Sequence, residues 1–255
     1  MATAQSAEGI ILRKYYLRET SYILVVFTKE FGKIKGVLKG IRNPYPQFAG
    51  NFEIFTLCQL LFYRKKKKGM DLITQCEAMD LFYPVRKDIE RLTYASYFIE
   101  LVETITSDHD VNEGLYEVLL ESLKLLATDS SPRRVGRIFE LKLLDSLGLR
   151  PMLEGCAVCG RAAEDKVRFS AANGGLLCGG CAGSDETAFP VSRGAVNFMR
   201  KILVSPIYRT AQIKVSREVG KEIERILKRF VGYHVARPVR SMRFLEQLQK
   251  QRLIN

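Results

Sequence analysis

The sequence lacks the residues on which most hydrolases and nucleotide-driven enzymes depend. It has two histidines, His109 and His234, which lie far apart and near no obvious catalytic partner. Lys33 and Lys221 each follow a glycine, but neither has the upstream glycine or the following Ser or Thr of a phosphate-binding P-loop. The carboxylates show no clustered pattern of the kind that holds the metal ions of a nuclease. We therefore predict a binding protein that works without ATP, and not an enzyme.

Long apolar runs are also missing. Stretches such as Ile23–Phe27 are strand-sized, whereas a membrane helix needs about 20 apolar residues. Residues 1–9 have neither a basic start nor an apolar centre, which argues against a secretory signal. With 47% hydrophobic and 27% charged residues, the composition is ordinary for a folded protein with a sizeable core. We expect a cytoplasmic protein that does not bind membranes.

Positive charge is present in excess. The chain of 255 residues has 40 Lys and Arg against 28 Asp and Glu, which gives a net charge of +12 and a pI near 9.5. This excess indicates polyanionic partners, and nucleic acid before membranes. The net charge is +6 over residues 1–80, −3 over 81–150, −2 over 151–189 and +11 over 190–255. The uneven spread predicts separate modules with these boundaries.

Residues 1–80 are predicted to form a small β-barrel. Apolar, β-branched and aromatic residues are interrupted by turn signals such as Asn43-Pro44. Strands are expected at 8–17, 21–27, 33–39, 52–63 and 71–78. Lys33 and Lys35 would share one face of the third strand, with Ile34 on the other. Five short strands are typical of the OB-fold, which commonly binds single strands or oligosaccharides.

The rest of the chain is predicted to be helical around a different central segment. Apolar residues at spacings of three and four predict helices at 89–105, 114–127, 132–147, 192–203, 216–233 and 242–249. Residues 151–189 are instead rich in Gly, Ala and Cys. The predicted fold class is therefore α+β multidomain, with an OB barrel, a helical domain in two parts and a cysteine-rich insertion. The chain has a basic tail in which Arg237, Arg240 and Arg243 are three residues apart. They are available to bind phosphate or to dock the tail on the body of the protein.

Four of the six cysteines have the spacing of a zinc site. Cys156 and Cys159 form one C-x2-C pair, and Cys178 and Cys181 form another 18 residues later. Four thiolates would close a tetrahedron around a single structural Zn²⁺ ion. Disulfides or a redox C-x-x-C motif are the competing interpretations, and a cytoplasmic setting disfavours stable disulfides. The remaining cysteines, at positions 58 and 76, lie in strand patterns and are expected in the core.

Basic residues of the first module are the candidate nucleic-acid contacts. They are Arg13, Lys14, Lys33, Lys35, Lys39, Arg42, Arg64, Lys65 and Lys66, the last two in a run that ends at Lys68. Aromatic residues interleave with them, namely Tyr15, Tyr16, Phe31, Phe48 and Tyr63. Basic grooves with aromatic platforms are how OB-folds hold single strands. The alternative is that most of these aromatics fill the barrel core and that the Lys run is a solvated hairpin.

The chain resembles the RecO family of bacterial recombination mediators. The resemblance is ordered along nearly the whole sequence and rests on modest motifs that are specific as a set: Glu8-Gly9-Ile10-Ile11-Leu12-Arg13, Glu19-Thr20-Ser21, Phe27-Thr28, Gly32-Lys33-Ile34, Gly36-Val37-Leu38-Lys39-Gly40, Leu92-Thr93-Tyr94-Ala95-Ser96-Tyr97, Phe139-Glu140-Leu141-Lys142-Leu143-Leu144, Cys156-Ala157-Val158-Cys159-Gly160, Tyr233-His234 and Ser241-Met242-Arg243-Phe244-Leu245.

The resemblance implies an OB-fold, a helical domain and a zinc-binding insertion, with zinc on the four paired cysteines. It implies a nucleoid-associated protein that binds single- and double-stranded DNA, anneals complementary strands, and acts with RecR on strands covered by the single-strand-binding protein SSB to help load RecA. The DNA-binding role falls on Lys33, Lys35, Lys39 and Arg42, which lie in the matching strand and loop. The acidic SSB tail is expected on the helical domain, with candidate rim residues Arg133, Arg134, Arg137 and Lys142.

Two other functions stay open from the residues alone. A zinc-ribbon protein that binds RNA would prefer RNA to single-stranded DNA and would not anneal strands. A metal-dependent nuclease would need Mg²⁺ and a carboxylate. The family resemblance argues against the first, and no carboxylate cluster suggests the second.

Overall fold

The computed structural model describes residues 3–17, 21–39, 52–65, 69–129, 131–162, 167–235 and 239–250, without the side chains at 242, 246 and 248–250. The chain forms two compact units. The barrel unit comprises Met1–Thr128 with Val239–Asn255, and the cysteine unit comprises Asp129–Pro238. The four charge-based modules stay a prediction. Arg42, Phe48 and Lys66 lie outside the described residues.

Five strands close into a barrel in the barrel unit. They are β1 (Ala4–Leu17), β2 (Ser21–Thr28), β3 (Gly32–Leu38), β4 (Leu57–Tyr63) and β5 (Asp71–Asp80). Their order is β1-β2-β3-β5-β4, and β4 pairs back onto β1. All the pairs are antiparallel except β3 with β5, which is parallel. The prediction of a five-stranded OB-fold barrel is confirmed.

The interior of the barrel is filled by alternate residues of its strands. The core includes Ala7, Ile11, Leu24, Val26, Ile34, Leu38, Cys58, Leu60, Phe62, Ile73 and Cys76. At Gly36 a Cβ atom would lie 2.6 Å from Cγ1 of Ile73, so that the parallel pairing of β3 with β5 depends on a residue without a side chain. The alternation confirms that Ile34 faces inward and that Lys33 and Lys35 face outward.

The fourth strand is shorter than its apolar pattern indicates. The prediction placed a strand over 52–63, whereas β4 begins at Leu57. Phe55 has a φ of 54°, in the left-handed region, which ends the extended conformation there. Its N–H donates to the carbonyl of Ile11 at 2.7 Å, and its buried ring lies 4.1 Å from the guanidinium of Arg86. Burial of an aromatic ring, and not strand pairing, explains the apolar character of this segment.

Helices α1 (Tyr83–Arg86), α2 (Ile89–Ile105), α3 (Glu113–Thr128) and α8 (Arg240–Lys250) complete the barrel unit. Helix α3 covers part of the outer barrel surface, because Tyr116 packs on Phe27 with ring centroids 6.1 Å apart and donates its hydroxyl to Glu8 at 2.9 Å. Burial, together with Glu8, raises the pKa of Tyr116 far above its ordinary value, so that this hydroxyl stays protonated.

Lys33 ties the third strand to helix α2. Its side chain is 11% exposed, and its ammonium donates to the carbonyls of Glu103 at 3.0 Å and Thr106 at 2.5 Å. These carbonyls lie at the C-terminal end of α2, where a cation is favoured by the helix dipole and by the unpaired backbone oxygens. Asp108 adds a carboxylate oxygen at 3.8 Å. Lys33 therefore has a structural role that the sequence pattern did not reveal.

The described residues of the cysteine unit form four α-helices, a 3₁₀ helix at Gly179–Ser184 and a short sheet. The helices are α4 (Pro132–Ser146), α5 (Arg193–Val204), α6 (Ile207–Thr210) and α7 (Arg217–His234). The strands β6 (Arg168–Ser170), β7 (Gly175–Leu177) and β8 (Phe189–Pro190) pair in the order β7-β6-β8. Serine side chains cap α4, α5 and α7. In the described part of the chain, no helix has the length and apolar character needed to cross a membrane.

Helix α7 holds the short sheet through two arginines. Arg225 and Arg229 lie with their guanidinium carbons 4.3 and 4.6 Å from the ring centroid of Phe189 in β8. Arg225 also donates to the carbonyl of Pro190 at 3.1 Å, and Arg229 to that of Thr187 at 3.0 Å. Two of the cations on this helix thus pack against β8. The net charge of the sequence does not distinguish them from cations that face solvent.

We predict that Lys33→Ala lowers the free energy of unfolding by about 2 kcal/mol, because the C-terminal carbonyls of α2 lose a charged donor. Urea unfolding measures the effect. Lys35→Ala, two residues along the same strand face and exposed, is the matched control and should change stability by less than about 0.5 kcal/mol. Equal losses for both variants would contradict the structural role of Lys33.

Candidate nucleic-acid interface and metal centre

Two tight turns bring four cysteines together in the cysteine unit. In the first turn the N–H of Gly160 donates to the carbonyl of Cys156 at 2.9 Å, and Gly160 takes a φ of 71°. In the second, the N–H of Cys181 donates to the carbonyl of Cys178 at 3.0 Å. The antiparallel hairpin of β6 and β7 joins the two turns. The four Sγ atoms lie within 4.8 Å of one another.

The sulfur geometry fits a tetrahedral metal ion. Four ligands about 2.3 Å from a metal are separated by about 3.8 Å in a tetrahedron, and Sγ of Cys159 lies 3.7 Å from Sγ of Cys178. All four thiols are free, and the structure has no disulfide among them. A set of four thiolates selects thiophilic ions and leaves no open coordination position. The cluster can hold a structural metal ion.

The thiols differ in how easily they ionise. Burial raises the pKa of Cys156, but backbone N–H groups of Cys178, Cys159 and Val158 outweigh it and lower the pKa to about 6. Arg161 donates from Nε to Sγ of Cys159 at 3.4 Å and lowers that pKa as well. The hydrogen bond with Cys159, together with desolvation, raises the pKa of Cys181 to about 12. Four neighbouring thiolates therefore need a cation to coexist.

The other two cysteines are core residues, as predicted. Cys58 and Cys76 are buried in the barrel, and Sγ of Cys58 donates to the carbonyl of Gly9 at 3.4 Å. The hydrogen bond with Cys76 and then burial raise the pKa of Cys58 well above its ordinary range, which keeps it a neutral packing group.

A row of apolar and aromatic side chains crosses the outside of the barrel. The strand register places its members side by side: Tyr15 on β1, Ile23 on β2, Val37 on β3, Leu72 on β5 and Tyr63 on β4. Each points outward, since its strand neighbours Leu24, Leu38, Ile73 and Phe62 lie in the core. The two tyrosines and the leucine are 48%, 37% and 39% exposed, respectively. We call these five residues the outer row.

Basic side chains flank the outer row on both sides. Lys35, opposite Val25 on β2, lies two positions before Val37, and Lys39 lies two positions after it. Arg64 and Lys65 follow β4 directly in the loop to β5, and Asp71 fixes this loop by accepting from the N–H of Lys65 at 3.0 Å. All four basic side chains are exposed. An apolar strip between cations suits bases in the middle and phosphates at the edges.

Three predicted contact residues have partners within the protein. Lys33 donates to the end of α2, as described above. Lys14 pairs with Glu53 at 2.5 Å and is 17% exposed. Arg13 pairs with Glu103 at 2.6 Å but remains 44% exposed; burial lowers its pKa, and Glu103 more than restores it. Among the predicted residues that the structure describes, Lys35, Lys39, Arg64 and Lys65 are exposed cations around the outer row.

A basic pocket of about 230 Å³ opens between α4, α5 and α7 in the cysteine unit. Its lining residues are Ser131, Arg133, Arg134, Arg137, Phe198, Val215, Ser216, Arg217, Gly220, Lys221, Ile223 and Glu224. Phe198, Val215 and Ile223 supply apolar surface, and five cations face one carboxylate. This brings together three of the four residues predicted for the partner site.

The pocket cations differ in how firmly they are held. Arg134 makes a bidentate contact with the buried carboxylate of Asp129, at 2.7 Å to each oxygen. Arg137 lies 3.0 Å from Glu140 and 3.9 Å from Glu224. Lys221 and Arg217 are exposed on α7 and were not predicted. Lys142 lies outside the lining and donates to the carbonyl of Leu203 at 2.9 Å, where burial lowers its pKa.

The features that the sequence did not reveal depend on contacts between elements that are far apart in the sequence. The outer row needs the register of five strands, and the α7 side of the pocket needs the packing of α7 on α4. The helical spacing of Arg217 and Lys221, four residues apart, was the available signal for one basic face of α7.

The fold and these sites define an OB-barrel protein with a helical region and a four-cysteine cluster that can hold a metal ion. Residues 1–82 match the family model of the recombination protein O N terminal, and residues 86–243 match that of the recombination protein O C terminal. The DNA repair protein RecO of Pelotomaculum thermopropionicum is 33% identical over 241 residues, which cover 94% of this chain and 93% of the relative. That of Symbiobacterium thermophilum is 33% identical over 251 residues, which cover 97% and 98%. The chain belongs to the RecO family, which supports a role in DNA repair and recombination.

Proposed function

We propose that this chain is a recombination mediator that binds single- and double-stranded DNA and anneals complementary strands without enzymatic turnover. The outer row with its flanking cations is the observation that carries the proposal. Bases of a single strand would stack on Tyr15 and Tyr63, and phosphates would lie against Lys35, Lys39 and the Arg64–Lys65 loop. Strands β2 and β3 with the β4–β5 loop are also the surface on which OB-folds commonly bind oligonucleotides.

Annealing by such a surface needs no hydrolysis. Two strands repel each other through their phosphates, and cations that release counterions on binding offset this repulsion. Base pairing then supplies the free energy of duplex formation. Stacking contacts of about 1–3 kcal/mol per base hold a strand without reading its sequence, and they are released as the bases pair. We infer that binding is strongly dependent on salt.

We further infer that the basic pocket binds the acidic C-terminal tail of SSB. An acidic peptide that ends in a hydrophobic residue needs an apolar floor and a basic rim, which Phe198, Ile223 and the cations of α4 and α7 provide. Contact with SSB would bring the protein to covered strands, where it acts with RecR to help load RecA on the chromosome in the cytoplasm. The metal ion is proposed to be one structural Zn²⁺ per chain.

The annealing prediction concerns complementary strands precoated with SSB, in the absence of ATP. We expect the Lys35→Glu/Lys39→Glu double variant to anneal at least about tenfold more slowly, because two phosphate contacts become repulsive, and to lower the salt slope of single-strand binding by about 1.4. The rate is measured by fluorescence of paired dyes. Lys87→Glu/Lys201→Glu reverses as many exposed charges at residues that belong neither to the outer row nor to its flanking cations, and it should anneal normally.

Other outcomes of this assay would indicate a different function. Tight DNA binding by the unaltered chain without annealing would contradict the mediator function. Tighter binding of RNA than of single-stranded DNA would favour an RNA-binding module, and Mg²⁺-dependent shortening of the strands on a gel would favour a nuclease.

The metal prediction uses the two classes of cysteine. We expect one zinc ion per purified chain by mass spectrometry, and its loss in Cys159→Ser because one of four ligands is removed. Cys76→Ser should retain the zinc, since that thiol lies in the barrel core. Full zinc content in Cys159→Ser, or iron in place of zinc, would refute the assignment.

The tail prediction tests the pocket with a fluorescent peptide that carries the last residues of the cognate SSB. We expect Lys221→Glu to weaken binding of the peptide at least about tenfold, because an exposed cation of the pocket becomes an anion. Fluorescence anisotropy measures the affinity. Lys201→Glu, an exposed lysine of α5 outside the pocket lining, is the control. Unchanged affinity for Lys221→Glu would exclude this pocket as the site.

A further inference from the structure

The C-terminal helix α8 belongs to the barrel unit, although the chain leaves that unit at residue 129 and returns at residue 239. Val239 and Leu245 are buried, and α8 packs along α2. The basic tail singled out in the sequence is therefore placed on the body of the unit that carries the outer row, as far as the described residues reach.

Glu100 on α2 fixes the start of α8. Its carboxylate accepts from the N–H groups of Arg240 and Ser241, both at 2.8 Å, and from the hydroxyl of Ser241 at 2.6 Å. Burial raises the pKa of Glu100, but these hydrogen bonds and the charge of Arg13 outweigh it, so that the pKa lies below its ordinary value. A carboxylate at a helix N-terminus satisfies free N–H groups and matches the helix dipole.

One face of α8 remains exposed and is basic and aromatic. Its members are Arg240, Arg243, Phe244 and Gln247, at the spacing of residues that line one helix face. Phe244 is 46% exposed, whereas Leu245, on another side of the helix, is 4% exposed. We call these four residues the α8 face. Phe244 thus presents its ring to solvent next to Arg243 and one helical turn after Arg240.

The α8 face lies near the basic edge of the barrel. Arg13 is close enough to Glu100 to lower its pKa, and Glu100 holds the first turn of α8. On the barrel, Arg13 pairs with Val25, and Val25 pairs with Lys35 beside the outer row. Two carboxylates of α2 in this region have partners. Glu103 forms an ion pair with Arg13, and Glu100 accepts hydrogen bonds from the backbone of α8. Their negative charge is thereby offset where a polyanion would pass.

We propose that the α8 face binds single-stranded DNA as an extension of the barrel surface, with phosphates on Arg240 and Arg243 and an unpaired base on Phe244. This rests on the proposed function of the outer row and adds a second contact region from the opposite end of the chain. Charge complementarity and the link through Arg13 favour this occupant. A duplex has no unpaired base to offer, so that Phe244 would distinguish the two forms of DNA.

The test measures binding of a fluorescent single-stranded oligonucleotide, and of its duplex, to the full chain at several salt concentrations. We expect Phe244→Leu to weaken single-strand binding about tenfold with an unchanged salt slope, because stacking is lost and charge is not. Phe244→Tyr, which keeps the ring, should bind like the unaltered chain, and duplex binding should be the same for all three. Arg240→Ala/Arg243→Ala should lower the single-strand salt slope by about 1.4.

Lys87→Ala removes an exposed cation just before α2 that belongs neither to the α8 face nor to the outer row, and it is the control for charge. Melting curves confirm that each variant folds. Normal single-strand binding by folded Phe244→Leu and Arg240→Ala/Arg243→Ala, with binding lost in Lys35→Glu/Lys39→Glu, would overturn the role of α8 and leave the outer row standing. Failure of the unaltered chain to bind single strands would overturn both.

Discussion

The parallel pairing of β3 with β5 is the constraint on which the barrel unit depends. It closes the sheet, and closure aligns Tyr15, Ile23, Val37, Leu72 and Tyr63 across five strands that are distant in sequence. The pairing in turn depends on Gly36, because any side chain there would meet Ile73. One missing side chain inside the barrel thus permits a continuous row outside it. The same closure leaves the row between Lys35 and Lys39, so that the apolar and basic parts of the surface have a common origin.

Positive charge in this chain has two uses that the sequence cannot separate. Lys33 and Lys35 share a strand face, yet Lys33 binds the carbonyls at the end of α2 and Lys35 faces solvent. Arg225 and Arg229 likewise hold β8 through Phe189. In both cases the deciding factor is which element packs over the residue, and this is a tertiary contact. Net charge therefore indicates a polyanionic partner correctly as a class, but it overstates how many cations are free to meet it.

The sequence predicts best where chemistry and local spacing agree. The two C-x2-C pairs indicate the cysteine cluster because tight turns are local, and the six predicted helices match the structure within one or two residues at each end. The one-turn helices α1 and α6 were not predicted, because four residues are too few to show a period. The strand over 52–63 fails in its first half because Phe55 is apolar for burial and not for pairing. The prediction that Lys142 belongs to the partner site is not matched by the pocket, because Lys142 donates to the carbonyl of Leu203 instead of lining the pocket. Neither outcome can be found without the neighbouring element.

Helix α7 shows how one element can serve two sites in the cysteine unit. Arg217 and Lys221 line the basic pocket, while Arg225 and Arg229, one and two turns further along, hold the sheet beside the cysteine cluster. A metal ion that orders the cluster would therefore also limit the movement of the helix that forms one wall of the pocket. The pocket cations gain a fixed geometry from this arrangement, which favours a directed contact with carboxylates over a diffuse one. A structural metal in such a protein can thus support binding at a distance while taking no part in it.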